Sequence, residues 1–302
     1  MPINRSSRVR GVVVAASISA LALAFSACGS NSLTQPTSAA PVETASSSVN
    51  QSLAAKVPDK IKTAGVIQIG VDATYAPNEY MNGNQVVGLD VDLFDAVAAD
   101  LGLKTKWNPA NFDSILIGVT AGKYDVGVSS FTINAEREKQ VTFVQYANVG
   151  EQWATPTGNP KGVDPKNPCG QTVAVQTKTV EDDELTAMNK AQCASKPINL
   201  LHYDGQDAVN NALVSGKAAA MLADYPITQY AIKMTGGKLE ALGDQYGQAP
   251  YGYAMTKENQ SLAEAISGAL SDLKANGTYD KILADYGVTA AGVSSFDINP
   301  KV

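Results

Sequence analysis

Histidine and cysteine are scarce in this chain of 302 residues, which contains one histidine and three cysteines. No two cysteines have the CxxC spacing, and His202 has no second histidine to act with it. Zinc sites and thiol redox sites are built from clusters of such residues. No nucleophilic cysteine and no Ser-His-Asp arrangement is evident either. We therefore expect no metal, no cofactor and no enzymatic activity.

Positive charge is also in short supply. Lysine and arginine together number 23, against 29 aspartate and glutamate residues, which gives a net charge of −6. Residues 1–27 carry three arginines and no acid, so a chain without them is near −9. Polyanions and anionic lipid surfaces attract basic proteins. Nucleic acid is therefore not expected as a partner, and neither is a direct electrostatic contact with the membrane.

No apolar run is long enough to span a bilayer. The run Gly11–Phe25 has 15 residues, whereas a spanning helix needs roughly 20. It follows three arginines and precedes Ser26-Ala27, a pattern typical of a secretory signal peptide over residues 1–27. Cys28 comes next, and LAFSAC resembles a bacterial lipoprotein box, although Phe25 departs from it. We expect a lipidated Cys28; a membrane helix, or secretion with cleavage elsewhere, is the alternative.

Aromatic residues are missing from the segment after Cys28. Gly29–Ala55 is rich in Ser, Thr, Ala and Pro, and such a composition cannot offset its ordering entropy by apolar burial. We expect residues 28–55 to form the lipidated cysteine and a disordered tether, with folding from Lys56 onward. Cys169 and Cys193 then remain in an exported chain, where disulfides persist. We expect these two to be bonded.

The rest of the chain alternates strands with helices, which favours an α/β fold with parallel sheets. A β-α-β-α-β pattern occurs twice. The predicted strands are Val66–Val71, Leu103–Trp107, Tyr124–Val128, Gln171–Val175, Ile198–Leu201, Ala218–Leu222 and Tyr251–Met255. The predicted helices are Gly88–Leu101, Phe112–Thr120, Val180–Asn189, Asp207–Ser215, Asn259–Ala275 and Tyr279–Tyr286.

The two halves share a local pattern, since 119–130 aligns with 213–224 on a common Gly-Lys pair. In that alignment Ser130 and Asp224 occupy the same position. Ligands of open parallel sheets lie beyond the carboxyl ends of strands. Polar residues follow strands at such ends in both halves, which suggests two sheets facing one cleft; chance similarity is the alternative. These residues are Asp72, Ser129, Ser130, Gln176 and Asp224.

The segment from Gly65 to Gly287 resembles the extracytoplasmic solute-binding proteins of ABC importers, in the polar amino-acid-binding family (solute-binding protein family 3). The matching stretches include IQIGVDATYAP, GLDVDLFDAVAADLG, KYDVGVSSFTINAEREKQVTF, TVAVQTKTVEDDEL and LSDLKANGTYDKILADYG. The resemblance implies a two-lobed, type II periplasmic-binding-protein-like fold with parallel-rich sheets. It also implies two crossing hinge segments, near Tyr146–Trp153 and Gln245–Tyr251. Lobe 1 would comprise 56–148 and the return 249–302 with its tail, and lobe 2 would comprise 153–245.

Arg137 is out of place as a helix residue, because a cation opposes the macrodipole just after the N-cap Asn134. By resemblance it corresponds to the arginine that holds the α-carboxylate of an amino acid, where a planar guanidinium bonds bidentately. Asp224 corresponds to the acceptor of the α-ammonium. The resemblance assigns the remaining ligand contacts to Asp72, Tyr75, Phe112, Ser129, Ser130, Thr132, Gln176 and Thr179.

Two positions depart from the family pattern. Lys178 stands where small residues are common, and it could favour an acidic ligand or project into solvent. Asn78 replaces a frequent aromatic residue. Both changes concern the identity of the ligand.

The resemblance implies a substrate-binding lipoprotein that captures a polar or charged amino acid by hinge closure. Such a protein delivers its ligand to an ABC permease from the outer face of the bacterial cytoplasmic membrane. We expect a monomer whose only membrane contact is the lipid anchor. Two alternatives remain: an enzyme on the same fold, such as a dehydratase of a small carboxylic acid, and a ligand sensor. Because the chain has no membrane segment near Val302, a sensor would need a separate membrane partner.

Overall fold

The computed structural model describes residues 49–302. The predicted signal peptide, Cys28 and most of the predicted tether lie outside the described residues. Within residues 49–302, no helix is both long enough and apolar enough to cross a bilayer.

The described chain is built of alternating helices and strands. The helices are α1 (Gln51–Lys56), α2 (Asp59–Ala64), α3 (Leu89–Asp100), α4 (Phe112–Thr120), α5 (Ala135–Glu138), α6 (Val180–Ala191), α7 (Gln206–Val214), α8 (Tyr225–Met234), α9 (Gln260–Ala275) and α10 (Thr278–Asp285). The strands are β1 (Val66–Val71), β2 (Thr74–Tyr75), β3 (Glu79–Asn82), β4 (Gln85–Val87), β5 (Lys104–Pro109), β6 (Val126–Thr132), β7 (Thr142–Pro156), β8 (Thr172–Gln176), β9 (Asn199–Tyr203), β10 (Ala220–Asp224) and β11 (Leu239–Met255).

Eight of these strands form one sheet in the order β5-β1-β6-β11-β7-β10-β8-β9. The outer strands pair in parallel, β1 with β5 and β6, and β8 with β9 and β10. The predicted α/β class with parallel pairing is confirmed. The expectation of two separate sheets is wrong, because the long strands β7 and β11 continue from one half of the molecule into the other. Here the first lobe means β1, β5 and β6 with α3, α4, α9 and α10, and the second lobe means β8–β10 with α6–α8.

Strands β7 and β11 form an antiparallel pair that connects the lobes. At one end β7 also pairs with β10, and at the other β11 pairs with β6. Their mutual register shifts between Leu242 and Tyr246, between Tyr246 and Ala249, and between Tyr251 and Gly252. Such irregularities bend strands and increase their twist. The bends therefore lie at the crossing between the lobes, where the sequence predicts hinge segments.

Each lobe has its own apolar core. In the first lobe, α3, α9 and α10 cover the sheet around Ile67, Phe94 and Leu270. The second lobe has two clusters, one around Trp153 and the other around Met221. The return helices α9 and α10 thus pack in the first lobe, as the resemblance implies.

The ordered part of the chain begins earlier than Lys56. Helix α1 lies within the predicted tether, where Asn50 caps it by accepting from the backbone N–H groups of Ser52 and Leu53. Leu53 lies directly over Gly268 of α9, because a Cβ at that glycine would come within 2.5 Å of its side chain. Composition alone missed this helix, since its stability comes from packing on α9 and a short isolated helix is marginal.

The structure contains the predicted bond between Cys169 and Cys193. It closes the segment that contains β8 and α6, and Cys193 is completely buried in the core of the second lobe. Proteolysis of unreduced protein should therefore release one linked peptide pair containing both cysteines, measured by mass spectrometry. Two free thiols at these positions would contradict the pairing.

Replacing both cysteines by serine should lower the free energy of unfolding by about 3 kcal/mol, measured by urea denaturation.

Candidate functional site

The cleft between the lobes contains a small cavity at the carboxyl ends of β6 and β10. Eight of the ten predicted ligand-contact residues line it, and two further residues, Val180 and Glu181, were not predicted. The lining residues are Tyr75, Phe112, Ser129, Ser130, Thr132, Arg137, Thr179, Val180, Glu181 and Asp224. The cavity itself measures about 10 Å³, within about 230 Å³ of interatomic space that includes solvent. That cavity has room for about one water molecule, so an amino acid requires the walls to move apart.

Arg137 lies between the two lobes and is held by backbone carbonyls. Its Nη1 donates to the carbonyl of Thr132 in the first lobe at 2.7 Å, and Nη2 donates to the carbonyl of Lys178 in the second at 3.2 Å. The guanidinium carbon lies 5.5 Å from the ring centre of Phe112, within cation–π range. Among the described residues, no carboxylate oxygen lies within 4.0 Å of Arg137. Burial lowers the pKa of Arg137 from its ordinary value.

Asp224 faces this cation from the second lobe. It is the last residue of β10 and the N-cap of α8, which begins with Tyr225 and Pro226. The hydroxyl of Tyr75 donates to Asp224 Oδ2 at 2.5 Å, which joins the two lobes across the cleft. Burial raises the pKa of Asp224 to about 6, and this hydrogen bond opposes the shift. Asp224 is therefore a buried acid with one hydroxyl donor and an opposite charge nearby.

Ser130 adopts a backbone conformation that is uncommon for a residue with a side chain, with φ of +49°. Its backbone N–H donates to Asp90 Oδ2 at 3.2 Å, and its hydroxyl lies 3.0 Å from Glu79 Oε1. Asn78 donates to the same hydroxyl at 2.9 Å. Asn78 is thus buried behind Ser130 and positions it, so its departure from the family pattern concerns the support of the cleft.

Glu79 and Asp90 form a pair of carboxyl groups with no exposed surface. Burial raises the pKa of both groups, and each lies close enough to affect the other. A neighbouring carboxylate in an apolar site disfavours ionisation, so Asp90 adds to the effect of burial on the pKa of Glu79. Tyr146 donates a further hydrogen bond to Asp90. Sequence reasoning missed this pair, because β2–β4 were not predicted and only the turn after β2 brings Glu79 to Asp90.

Asp72 and Gln176 do not line the cavity, although both were predicted to contact the ligand. Gln176 donates its side-chain amide to Asp72 Oδ2 across the cleft, while Thr74 donates to the other oxygen. Burial raises the pKa of Asp72 to about 6. In this arrangement Asp72 is an interlobe contact.

The loop before α6 contributes backbone atoms and a cap. Thr179 is the N-cap of α6, and its hydroxyl accepts from the N–H of Asp182 at 3.2 Å. Lys178 has φ of +66° and an exposed side chain, while its carbonyl reaches Arg137. Its side chain therefore projects into solvent and does not place a positive charge in the cleft. His202 lies outside the cavity lining and contacts Asp182 at 2.8 Å.

Glu181 is the acidic residue of the cavity wall that sequence reasoning missed. It lies in the first turn of α6 and is 2% exposed. Its Oε1 has no hydrogen-bond partner among the described residues. Burial raises the pKa of Glu181 to about 8, and the charge of Asp224 adds to the shift. The signal available in the sequence was the acidic run Glu181–Glu184 after the capping Thr179, which reads equally well as helix-dipole compensation.

Comparisons with known proteins show the family of the chain. Residues 67–289 match the bacterial extracellular solute-binding proteins, family 3. The chain belongs to this family. It is 35% identical over 238 residues to the arginine-binding protein ArgT of Corynebacterium glutamicum, a match that covers 78% of each chain. It is 28% identical to an L-arginine-binding protein of Pseudomonas aeruginosa, over 73% of this chain and 87% of that one.

Solved structures give the same fold. An ancestral arginine-binding protein bound to arginine is 30% identical, with a TM-score of 0.69, and the match covers 74% of this chain and 98% of that one. The ancestral amino acid-binding protein AncCDT-1, a precursor of cyclohexadienyl dehydratase, is 27% identical with a TM-score of 0.68 over 76% and 98% of the two chains. The family is extracytoplasmic, and its curated relatives here are binding proteins.

The burial of Glu181 predicts a pH dependence of stability. The folded pKa of about 8 lies above the ordinary 4.5, so between these values the folded state holds a proton that the unfolded state has released. The free energy of unfolding therefore falls as the pH rises through this window. Glu181→Gln removes this titration and should flatten the fall between pH 5 and 8, by at most about 1.4 kcal/mol per pH unit.

The measurement is urea denaturation at several pH values. Asp183→Asn is the matched control, because Asp183 neighbours Glu181 on α6 but is exposed. It should leave the pH dependence of the wild type unchanged. An equal slope in the wild type and in Glu181→Gln would contradict the assignment.

Proposed function

We propose that this protein captures an amino acid outside the cell and delivers it to an ABC permease. The observation that carries the proposal is the pairing across the cleft of Arg137, a cation with no carboxylate within 4.0 Å, and Asp224, a buried acid. An amino-acid zwitterion has a carboxylate for the first and an ammonium for the second. The curated relatives named above bind arginine, and others bind lysine, arginine and ornithine, or histidine.

In this proposal the ligand docks first on the residues of the first lobe. Arg137 binds the α-carboxylate bidentately in place of its bond to the carbonyl of Lys178. The hydroxyl of Thr132 completes the head-group contacts, and the rings of Tyr75 and Phe112 flank the ligand side chain. A guanidinium matches a carboxylate in shape as well as in charge.

Closure follows when the second lobe moves about the bends of β7 and β11. Asp224 then accepts the α-ammonium, and Thr179 approaches the carboxylate. A ligand shifts such an equilibrium only by preferring one state, and a shift from 1:99 to 99:1 needs about 5.5 kcal/mol of preference. Charged contacts from both lobes can supply it. In this scheme Asp72 and Gln176 act as an interlobe contact that supports the closed form.

The site of action in this proposal is the outer face of the cytoplasmic membrane. The predicted signal peptide and the lipoprotein-like LAFSAC motif support it, with Cys28 as the lipidated residue. The segment after Cys28 would separate the two lobes from the membrane surface. Helix α1, which packs on α9, would mark the end of that tether. A binding role is favoured over catalysis because the relatives named here are binding proteins.

A thermal-shift screen of free amino acids tests the proposal. At 100 times Kd a ligand adds about 2.7 kcal/mol to the free energy of unfolding, which raises the melting temperature by several degrees. Basic amino acids should give the largest shifts. No shift with any amino acid at millimolar concentration would contradict the proposed function.

Arg137→Lys should weaken amino-acid binding by more than about tenfold, because a lysine keeps the charge but loses the bidentate geometry. Isothermal titration calorimetry measures the loss. The matched control is Lys139→Ala, which removes an exposed cation two residues away that pairs with Glu136 on the surface. That variant should bind as the wild type does. Equal affinities for wild type and Arg137→Lys would refute the role of Arg137.

A further inference from the structure

Three carboxyl groups converge on the second-lobe side of the cleft. Asp224 and Glu151 are direct partners in the pairing of β10 with β7, and Glu181 lies beside them in the first turn of α6. Burial and the neighbouring carboxyl groups raise the pKa of Glu181 to about 8 and that of Glu151 to about 10, so both groups hold a proton at pH 7. Among the residues that line the cavity, Arg137 is the one cation. The cleft as described is therefore short of positive charge.

An amino-acid head group does not remove this deficit. Its carboxylate is taken by Arg137 and its ammonium by Asp224, so the zwitterion brings no net charge. Glu181 would still face the ligand with a buried oxygen that has no hydrogen-bond donor. A buried carboxyl oxygen without a donor is costly, and the proton that Glu181 holds does not satisfy this oxygen. A ligand with a second cationic group would provide that donor.

We propose that Glu181 binds the cationic side-chain group of a basic amino acid and selects such ligands over neutral ones of the same shape. The inference rests on the proposed function. In this inference an acid of the second lobe contacts the side chain of the ligand. The protein would therefore discriminate between basic and neutral ligands when the lobes close.

Asp72 is the competing acid for this role, and its surroundings disfavour it. Both of its carboxyl oxygens already accept hydrogen bonds, Oδ1 from Thr74 and Oδ2 from Gln176. It also lies outside the cavity lining. Glu181 combines a place in the lining, near-complete burial and a free acceptor, and no other carboxyl group of the described residues has all three.

The test compares Glu181→Gln with the wild type against L-arginine and L-citrulline, two ligands that share a shape and differ in side-chain charge. Calorimetry at pH 7 gives both affinities. Glu181→Gln should lose at least about tenfold in affinity for arginine and change by less than about threefold for citrulline. The ratio of the two affinities, which an unfolded fraction cannot alter, is the decisive quantity.

Asp183→Asn is the matched control, since it removes an exposed charge two positions further along the same helix. It should change the ratio by less than about twofold, because exposed charges are screened by salt. Equal losses for arginine and citrulline in Glu181→Gln would overturn the inference, as would a wild type that binds citrulline as tightly as arginine. A wild type that binds no amino acid would instead overturn the proposed function itself.

Discussion

The site depends on one half-buried cation that has no carboxylate partner in direct contact. Arg137 is held by a carbonyl from each lobe, that of Thr132 and that of Lys178, and no carboxylate lies within 4.0 Å among residues 49–302. Carbonyl oxygens satisfy its donors but carry no net negative charge. A partly desolvated charge of this kind costs free energy until an anion reaches it. Binding of a carboxylate ligand therefore removes this cost, which favours the bound state. The effect is largest when the cleft is closed around the ligand.

The rest of the fold holds the groups that face this cation. The continuous sheet carries β6 and β10 to the same cleft, so Ser130 and Asp224 approach from opposite lobes. Behind Ser130, the pair Glu79–Asp90 fixes a strained backbone position through hydrogen bonds. The second lobe contributes two buried acids to the cavity wall, Asp224 and Glu181. The cation lies in one lobe and the acids lie in the other. The ligand can therefore contact both only when the lobes close, so closure completes the recognition of the ligand.

Much of this arrangement could be predicted from the sequence. Helix α4 and strand β1 have their predicted bounds, because their apolar spacing and flanking glycines leave little freedom. A helix rule that the arginine breaks and the local repeat of the chain draw attention to Arg137 and Asp224, but the roles of both residues come from the resemblance to the family. These signals are short-range in the sequence. The same resemblance assigns ten ligand-contact residues, of which eight line one cavity.

The features that could not be predicted from the sequence depend on contacts between residues far apart in the chain. Helix α1 is ordered by α9, about 210 residues away in the chain, and the turn after β2 is what brings Glu79 to Asp90. Asp72 and Gln176 have the predicted position but bond to each other. Glu181 was missed because an acid in the first turn of a helix is ordinary. Only burial against Asp224, and an oxygen without a donor, distinguish it from Asp183.

The account is tested most directly by a crystal structure of the protein with its amino acid bound. It predicts that the α-carboxylate of the ligand bonds to both terminal nitrogens of Arg137, while the α-ammonium lies within hydrogen-bond distance of Asp224. A ligand bound elsewhere, or one in this cleft with its carboxylate away from Arg137, would contradict it.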